Sequence, residues 1–285
     1  MKKILLILNG ARPPLHVISS AIEIAKADNA LLYAMFLVPV RNKPAFAYPY
    51  INDLAMTGAL MPEMDRMAEQ EDQQETNDII RFFGDACTEA NVSFKISPVV
   101  DISFDELIHH SAFSDLIIAD AKARFPETPS MPITISLSDL LADAHCPVLL
   151  LQQEIKQPGQ VILTYDGDFS SIHAIKMFSY VFPEWRLLPT SLLSVSTGKD
   201  AQLEYEEHLK DWLARHFDRL TMELLKGKPK KELVKAVQSK GPETIVVMGA
   251  YGRTAVSRLF RRSFSDSIIN ETAAALFIAH ERINI

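Results

Sequence analysis

Residues 249–265 read Gly-Ala-Tyr-Gly-Arg-Thr-Ala-Val-Ser-Arg-Leu-Phe-Arg-Arg-Ser-Phe-Ser and follow the apolar run Thr244-Ile245-Val246-Val247-Met248. A strand that ends in a glycine turn and feeds a helix makes a cradle for phosphate. Glycine lets the backbone come close, and the first helical turn carries unpaired N–H groups. Gly249 and Gly252 are the glycines here, and Ser263 and Ser265 are hydroxyls at the next helix start. The same residues are compatible with a bare strand–helix turn and with helix capping. Arg253, Arg258, Arg261 and Arg262 place four guanidinium groups in the loop, suited to phosphate or to a solvated basic surface.

A second set stands at Tyr165-Asp166-Gly167-Asp168, directly after the apolar run Val161-Ile162-Leu163-Thr164. The Asp166 carboxylate can accept hydrogen bonds from an exocyclic amine or a ribose hydroxyl. The competing role for Asp166 or Asp168 is to cap the helix that follows. Other chemistries find little support. His109 and His110 are adjacent, which points them different ways on a helix and does not match zinc-ligand spacing. Neither a Gly-x-Ser-x-Gly elbow, a Walker loop nor a His-Glu-x-x-His segment occurs. The basic turn Lys226-Gly227-Lys228-Pro229-Lys230-Lys231 reads as a strand end that favours solubility, with phosphate contact as the alternative.

These residues must be held by elements, and the chain repeats its elements. Ile4-Leu5-Leu6-Ile7-Leu8-Asn9-Gly10 matches Val161-Ile162-Leu163-Thr164-Tyr165-Asp166-Gly167. The offset that lays Asn9 on Asp166 also lays His16 on His173 and Ile18 on Ile175, so the two histidines share a packing role. Towards the ends of the halves, 115–120 corresponds to 244–249, and 145–151 to 273–279. Two copies of one fold follow, over 1–153 and 160–285, joined by a polar Pro-Gly-containing linker at 154–159. In the second copy, strands are expected near 160–165, 188–195, 219–226, 244–249 and 275–280. Helices are expected near 170–180, 200–216, 230–239 and 264–272. Alternation of this kind makes a parallel α/β sheet with helices on both faces, and the unbroken apolar runs suit strands buried on both sides. The first copy has the same order plus an insertion at 39–65 containing Pro44, Pro49 and Pro62. The acidic run after it, Glu63 to Glu75, reads as a solvated helix face.

The 285 residues carry a net charge of −7, with 48% hydrophobic and 23% charged side chains. That is an ordinary globular composition, and it argues against a general nucleic-acid binder, which needs a basic face. No apolar run reaches the roughly 18 residues of a membrane span. The apolar start is too short for a secretory signal and reads as a buried first strand. Cys87 and Cys146 lack metal-ligand spacing and read as reduced thiols of a cytoplasmic protein.

On these residues the second half resembles a universal stress protein domain, and the whole chain is similar to tandem members of that family. The resemblance rests on Tyr165-Asp166-Gly167 with Ser170 and Ser171, on Gly249-x-x-Gly252 followed by Arg262-Ser263, and on the closing apolar strand. It implies two Rossmann-like (HUP-type) domains, each a five-stranded parallel sheet in the order 3-2-1-4-5. It also implies that the last strands, near 147–151 and 275–280, pair across an internal pseudo-twofold axis, giving a pseudo-dimer. The family's nucleotide-binding set falls on Asp166, Gly167, Val195, Gly249, Gly252, Arg253, Arg262, Ser263, Phe264 and Ser265. The implied ligand is ATP or another adenine nucleotide, with Mg2+ only alongside it and no cofactor required for folding.

Two departures limit that implication. Arg262 stands where the family's loop has glycine, and it trades close backbone approach for a charge that can pair with phosphate. In the first half Asn9 replaces the acid, and Asp120-Ala121-Lys122-Ala123-Arg124-Phe125-Pro126 replaces the glycine loop. The first domain is therefore expected to be degenerate and the second to hold at most one adenine-nucleotide site. The expected role is a stress-related regulatory or sensing module. A scaffold without nucleotide is the alternative, and an enzyme such as a slow ATPase ranks last because no base or metal cluster is recognisable. Neither nucleic acid nor membrane is an expected partner, and the reading admits a homodimer.

Overall fold

A computed structural model of the chain describes residues 2–9, 13–37, 74–97, 104–123, 137–196, 198, 203–249 and 265–279. The insertion at 39–65 and the loop at 250–264 thus lie outside the described residues. The first half contains β1 (Lys3–Asn9), α1 (Leu15–Ala27), β2 (Leu31–Leu37), α2 (described over 74–89), β3 (Phe94–Ile96), α3 (Phe104–Ala112), β4 (Leu116–Asp120), α4 (Leu137–Asp143) and β5 (Val148–Leu151). The second half contains β6 (Gln160–Thr164), α5 (Phe169–Val181), a 3₁₀ helix (Pro183–Leu187), β7 (Thr190–Ser196), α6 (Glu206–His216), β8 (Leu220–Lys226), α7 (Pro229–Lys240), β9 (Thr244–Gly249), α8 (described over 265–271) and β10 (Ala275–Ala279).

The strands form one ten-stranded sheet in the order β3-β2-β1-β4-β5-β10-β9-β6-β7-β8. Each half has the order 3-2-1-4-5 with parallel neighbours. The halves meet where β5 pairs antiparallel with β10, Leu149 opposite Phe277. The two five-stranded parallel units expected from the sequence are present, and their last strands join them into one continuous sheet. The reason is that each half ends in an apolar strand whose outer edge would otherwise be bare, and each covers the other.

Alternation along the strands divides the core in two. On one face Ile4, Leu6, Leu8, Leu149, Leu163 and Phe277 pack in one cluster; on the other, Leu5, Ile7, Leu150, Ile162, Leu276 and Ile278 pack in a second. Both clusters draw residues from both halves, so the core runs unbroken through the seam. The apolar start of the chain is the central strand β1, with Ile4 to Leu8 buried. The outermost strand β8 departs from the expected double burial. Its residues alternate half-buried and exposed, as an edge strand with only one covered face must, and Glu223 and Lys226 on it resist further strand pairing.

The connection between the halves is docked. Gln152 Nε2 donates to the Ala274 carbonyl at 2.8 Å, Gln153 Nε2 to Pro242 O at 2.9 Å, and the Ile155 amide to Ser20 Oγ at 2.8 Å. Ile155 itself is buried in the core although it falls in the polar stretch 154–159. Lys2 pairs with Asp28 at 2.7 Å and also donates to Val181 O across the seam.

The two cysteines are free and lie in different core clusters, Cys87 on one face of the sheet and Cys146 on the other. Burial pushes the Cys87 thiol up to about 11 and the Cys146 thiol up to about 12. A thiol reacts as its thiolate, so both are expected to resist iodoacetamide in the native protein at pH 8 and to alkylate fully once urea unfolds it. Mass spectrometry of the adducts reads this directly; rapid native labelling of either cysteine contradicts its placement in the core.

Candidate functional site

β6 is the strand at which the second half changes direction of winding. β7 and β8 lie to one side of it, β9 and β10 to the other. The carboxyl ends of β6 and β9 therefore flank the topological switch point, where open α/β sheets form their crevice. Leu163 pairs with Val247, and the Thr164 hydroxyl donates to the Val247 carbonyl at 2.9 Å, which fixes the two strand ends in register. Beyond them come Tyr165-Asp166-Gly167-Asp168 on one side and Gly249 on the other.

The turn after β6 is built by its own polar atoms. The Asp168 amide donates to Asp166 Oδ1 at 3.2 Å, an Asx-type closure that aspartate favours. Gly167 has φ +83°, a conformation costly to any residue with a Cβ. Asp168 occupies the N-cap position of α5 without a side-chain capping bond. Its carbonyl instead accepts from the Ser171 amide at 3.1 Å and from Ser171 Oγ at 2.6 Å. The Asp168 carbonyl thus holds the first turn through the amide and the hydroxyl of Ser171. The Asp166 carboxylate closes the turn rather than the helix.

Gly249 serves a different end. Its φ is not in the left-handed range, but a Cβ added to it would stand 2.5 Å from Ser170 O and 2.8 Å from the Ser171 amide nitrogen. The first turn of α5 lies directly on the end of β9, and only glycine leaves room for it. Turn conformation and close approach, which the sequence assigned jointly to glycine, are divided between Gly167 and Gly249.

One side chain at this crevice was not anticipated. Glu204, just before α6, lies over the Asp166–Gly167 turn: a Cβ on Gly167 would meet Glu204 Oε2 at 2.6 Å. The Tyr165 hydroxyl donates to the Glu204 carbonyl at 2.9 Å and anchors it there. Burial, and then the nearby Glu204, Asp166 and Tyr205, push the Tyr165 phenol up from its ordinary value. Tyr205 follows with φ +54° at the N-cap of α6. No spacing rule points to Glu204, because the bend at Tyr205 that turns the chain back over the crevice has no glycine to mark it.

The other expected residues divide as follows. Val195 lies near the end of β7, half-buried against the second core cluster. Ser265 opens the described part of α8 and is buried. Gly252, Arg253, Arg262, Ser263 and Phe264 lie outside the described residues, as do Arg258 and Arg261.

The equivalent corner of the first half is built differently. Asp120 ends β4 where Gly249 ends β9, and its carboxylate accepts the Lys122 amide at 2.9 Å. Pro14, extended at φ −61° and ψ 121°, holds the chain out of helix until Leu15. The Asp120 carboxylate adds a negative charge to this corner and engages the Lys122 amide. Among the described residues no group of three or more His, Cys, Asp or Glu is placed to hold a metal ion, and no helix is long and apolar enough to cross a membrane.

Comparison with known proteins agrees with this architecture. The family model described as "Universal stress protein family" matches residues 173–280. Residues 173–280 of the second lobe are thus similar to that family. A universal stress protein from Archaeoglobus fulgidus DSM 4304 shares the fold of the whole chain, with a TM-score of 0.64 at 14% identity, over 99% of this chain and 97% of that one. A functionally unknown protein from Pseudomonas aeruginosa PAO1 does so with a TM-score of 0.57 at 15% identity, over 98% and 92%. At such identities the likeness is one of fold, and it extends the tandem architecture to the first lobe. Curated protein sequences return no match.

Proposed function

We propose that the second lobe binds an adenine nucleotide in the crevice between β6 and β9, and that the protein works as a stress-related regulatory or sensing module with one such site. The observation that carries this reading is the pairing of an Asp166–Gly167 turn, held open by positive φ, with the end of β9 at the switch point of a universal stress protein domain. The nucleoside end of the ligand would meet Asp166 and Val195. The phosphates would meet the basic segment with Gly252, Arg253, Arg262 and Ser263. Mg2+ would arrive with the phosphates. The first lobe, with Asn9 and Asp120 at the equivalent corners, would serve as a structural partner. The cytoplasm is the proposed compartment.

Isothermal titration of the full chain with ATP, ADP and AMP tests this. Wild type is expected to bind, and Asp166→Ala and Gly252→Val are each expected to weaken binding roughly tenfold or more, the scale of one charge-assisted hydrogen bond or one blocked backbone approach. Absence of heat with all three nucleotides sinks the reading.

A specific observation favours the alternative of a scaffold without nucleotide. The space above Gly249 is taken by the backbone of α5, so this glycine is accounted for by packing alone. A chain that binds no nucleotide, yet retains its stability and its seam, would fit that reading.

A further inference from the structure

We infer that α2 and α7 carry complementary charged stripes through which one copy of this chain docks on a second copy, the carboxylates of α2 meeting the lysines of α7. The inference is independent of the nucleotide reading and concerns a different part of the molecule.

Each of the two helices carries its charges at the end that its own dipole disfavours. A helix is positive at its N-terminus and negative at its C-terminus, so acids suit the first turn and lysines the last. In α7 the order is inverted. Lys228 is the N-cap residue, without a side-chain cap, and Lys230 and Lys231 follow in the first turn with Glu232 as the acid there. Glu232 is folded back over Gly227, where an added Cβ would meet its Cγ at 2.8 Å. α2 is inverted the other way: Asp85 and Glu89 stand in its closing segment Asp85-Ala86-Cys87-Thr88-Glu89, which has no basic residue. Neither arrangement helps its own helix. Each makes one helix end more polar than the backbone alone does, positive for α7 and negative for α2.

Each set is also a stripe on the solvent side. Leu233, Val234 and Val237 turn α7 into the core, and Lys228, Lys231 and Lys235 are exposed on the opposite side. Phe83 and Cys87 do the same for α2, opposite the exposed Asp78, Phe82, Asp85 and Glu89. Asp85 and Glu89 are four residues apart, as are Lys231 and Lys235. Two carboxylates on one helix and two ammonium groups on the other therefore share the spacing of one helical turn, about 5–6 Å between side-chain origins. Phe82 adds apolar surface within the acidic stripe on which lysine stems can lie. None of Asp78, Asp85, Glu89, Lys228, Lys231 and Lys235 is in an ion pair with another described residue.

The stripes cannot meet within one chain. Phe83 packs edge-on against Phe36 of β2 at 6.3 Å and against Phe94 of β3 at 5.7 Å, which puts α2 at one end of the sheet. The inner side chains of α7 share a core cluster with Leu193 of β7, on the opposite face and towards the other end. The partner of each stripe is the other stripe on a second copy. A long uniform polyanion fits less well, because the chain carries a net charge of −7 and Glu223 is exposed on β8, the strand that leads into α7.

Sedimentation of the full chain tests the inference. Wild type is compared with a lysine-reversed variant (Lys231→Glu with Lys235→Glu), an acid-reversed variant (Asp85→Lys with Glu89→Lys) and a mixture of the two. Wild type is expected to associate as its concentration rises. Raising salt from about 0.1 M to about 1 M should weaken that association roughly tenfold or more, as the Debye length falls from about 10 Å to about 3 Å. Each reversed variant alone is expected to stay monomeric, and to melt no lower than wild type because its helix dipole is better matched. The mixture is expected to associate again, since the reversed α7 of one variant then faces the reversed α2 of the other. Lys231→Gln with Lys235→Gln, a milder change, is expected to weaken association without reversing it. A wild type that stays monomeric up to about 1 mM overturns the inference. So does association that survives both reversals or high salt, which puts the contact elsewhere, and so does a mixture that stays monomeric.

Discussion

Phe277→Ala is expected to cost about 3–5 kcal/mol of stability, the range for a buried phenylalanine truncated in a packed core. Phe277 is fully buried at the seam, on the strand that joins the two halves, opposite Leu149 in β5 and Val247 in β9. Its ring meets Phe178 edge-on at 5.2 Å and Phe182 at 6.0 Å. Phe178 in turn contacts Trp185 and Phe217, so one truncation loosens an aromatic group drawn from α5, the 3₁₀ helix and the end of α6. For a chain of this size the melting temperature should fall by on the order of 10 °C. The manner of melting matters as much as its midpoint. Because both core clusters contain residues from both halves, the mutant and the wild type should each unfold in one calorimetric transition. Two transitions, of which only the later or earlier shifts, would show that the seam is a contact between independent lobes. A shift below about 2 °C would remove Phe277 from the centre of the core.

The parts of the fold that were legible in the sequence are those set by local pattern. Thr244-Ile245-Val246-Val247-Met248 is a run with nowhere to go but a doubly buried strand, and it forms the six-residue β9 with every residue buried. The match of Asn9 to Asp166 located two equivalent first strands, β1 and β6, and both lie at the centre of their halves. What could not be read depends on partners distant in sequence. β8 looks as apolar as β9 in places, yet Thr221, Glu223 and Lys226 on it are exposed at the end of the described sheet. The 3₁₀ helix at Pro183–Leu187 is set by the stacking of Trp185 on Phe182, with ring centroids 3.8 Å apart, which no periodicity announces. At the candidate site, Asp166 and Gly249 were legible because a strand end and a glycine turn mark themselves. Glu204 was not, because its place over Gly167 is decided by a hydrogen bond from Tyr165 across 39 residues of chain.

The same distinction governs what a glycine at the site means. Gly249→Ala is expected to destabilise the protein by about 2–4 kcal/mol, with Gly249→Val worse, because overpacking against backbone has no rotamer through which to relax. A Cβ at 249 would be 2.5 Å from Ser170 O and 2.6 Å from the Ser170 carbonyl carbon, so the first turn of α5 must move off the sheet. Ser170 and Ser171 are themselves buried, and that movement would open them to water. Gly84→Ala in α2 is the matched comparison: there a Cβ meets only the Phe94 ring at 3.6 Å, an ordinary contact, and helix propensity should make the change neutral or stabilising by about 0.5–1 kcal/mol. Urea denaturation of the two variants should therefore give effects of opposite sign. If Gly249→Ala instead unfolds at the wild-type midpoint, α5 does not rest on β9 as described. The consequence for function follows from the size of the effect. A loss of nucleotide binding in Gly249→Ala would report a displaced helix as readily as a lost ligand contact, so Gly249 cannot by itself argue for a phosphate. Asp166 is the better probe of the nucleoside end, since it lies in an exposed turn at the surface of the crevice. Because Asp166 Oδ1 also accepts the Asp168 amide at the start of α5, Asp166→Asn, which keeps an acceptor there, separates loss of the charge from loss of the turn.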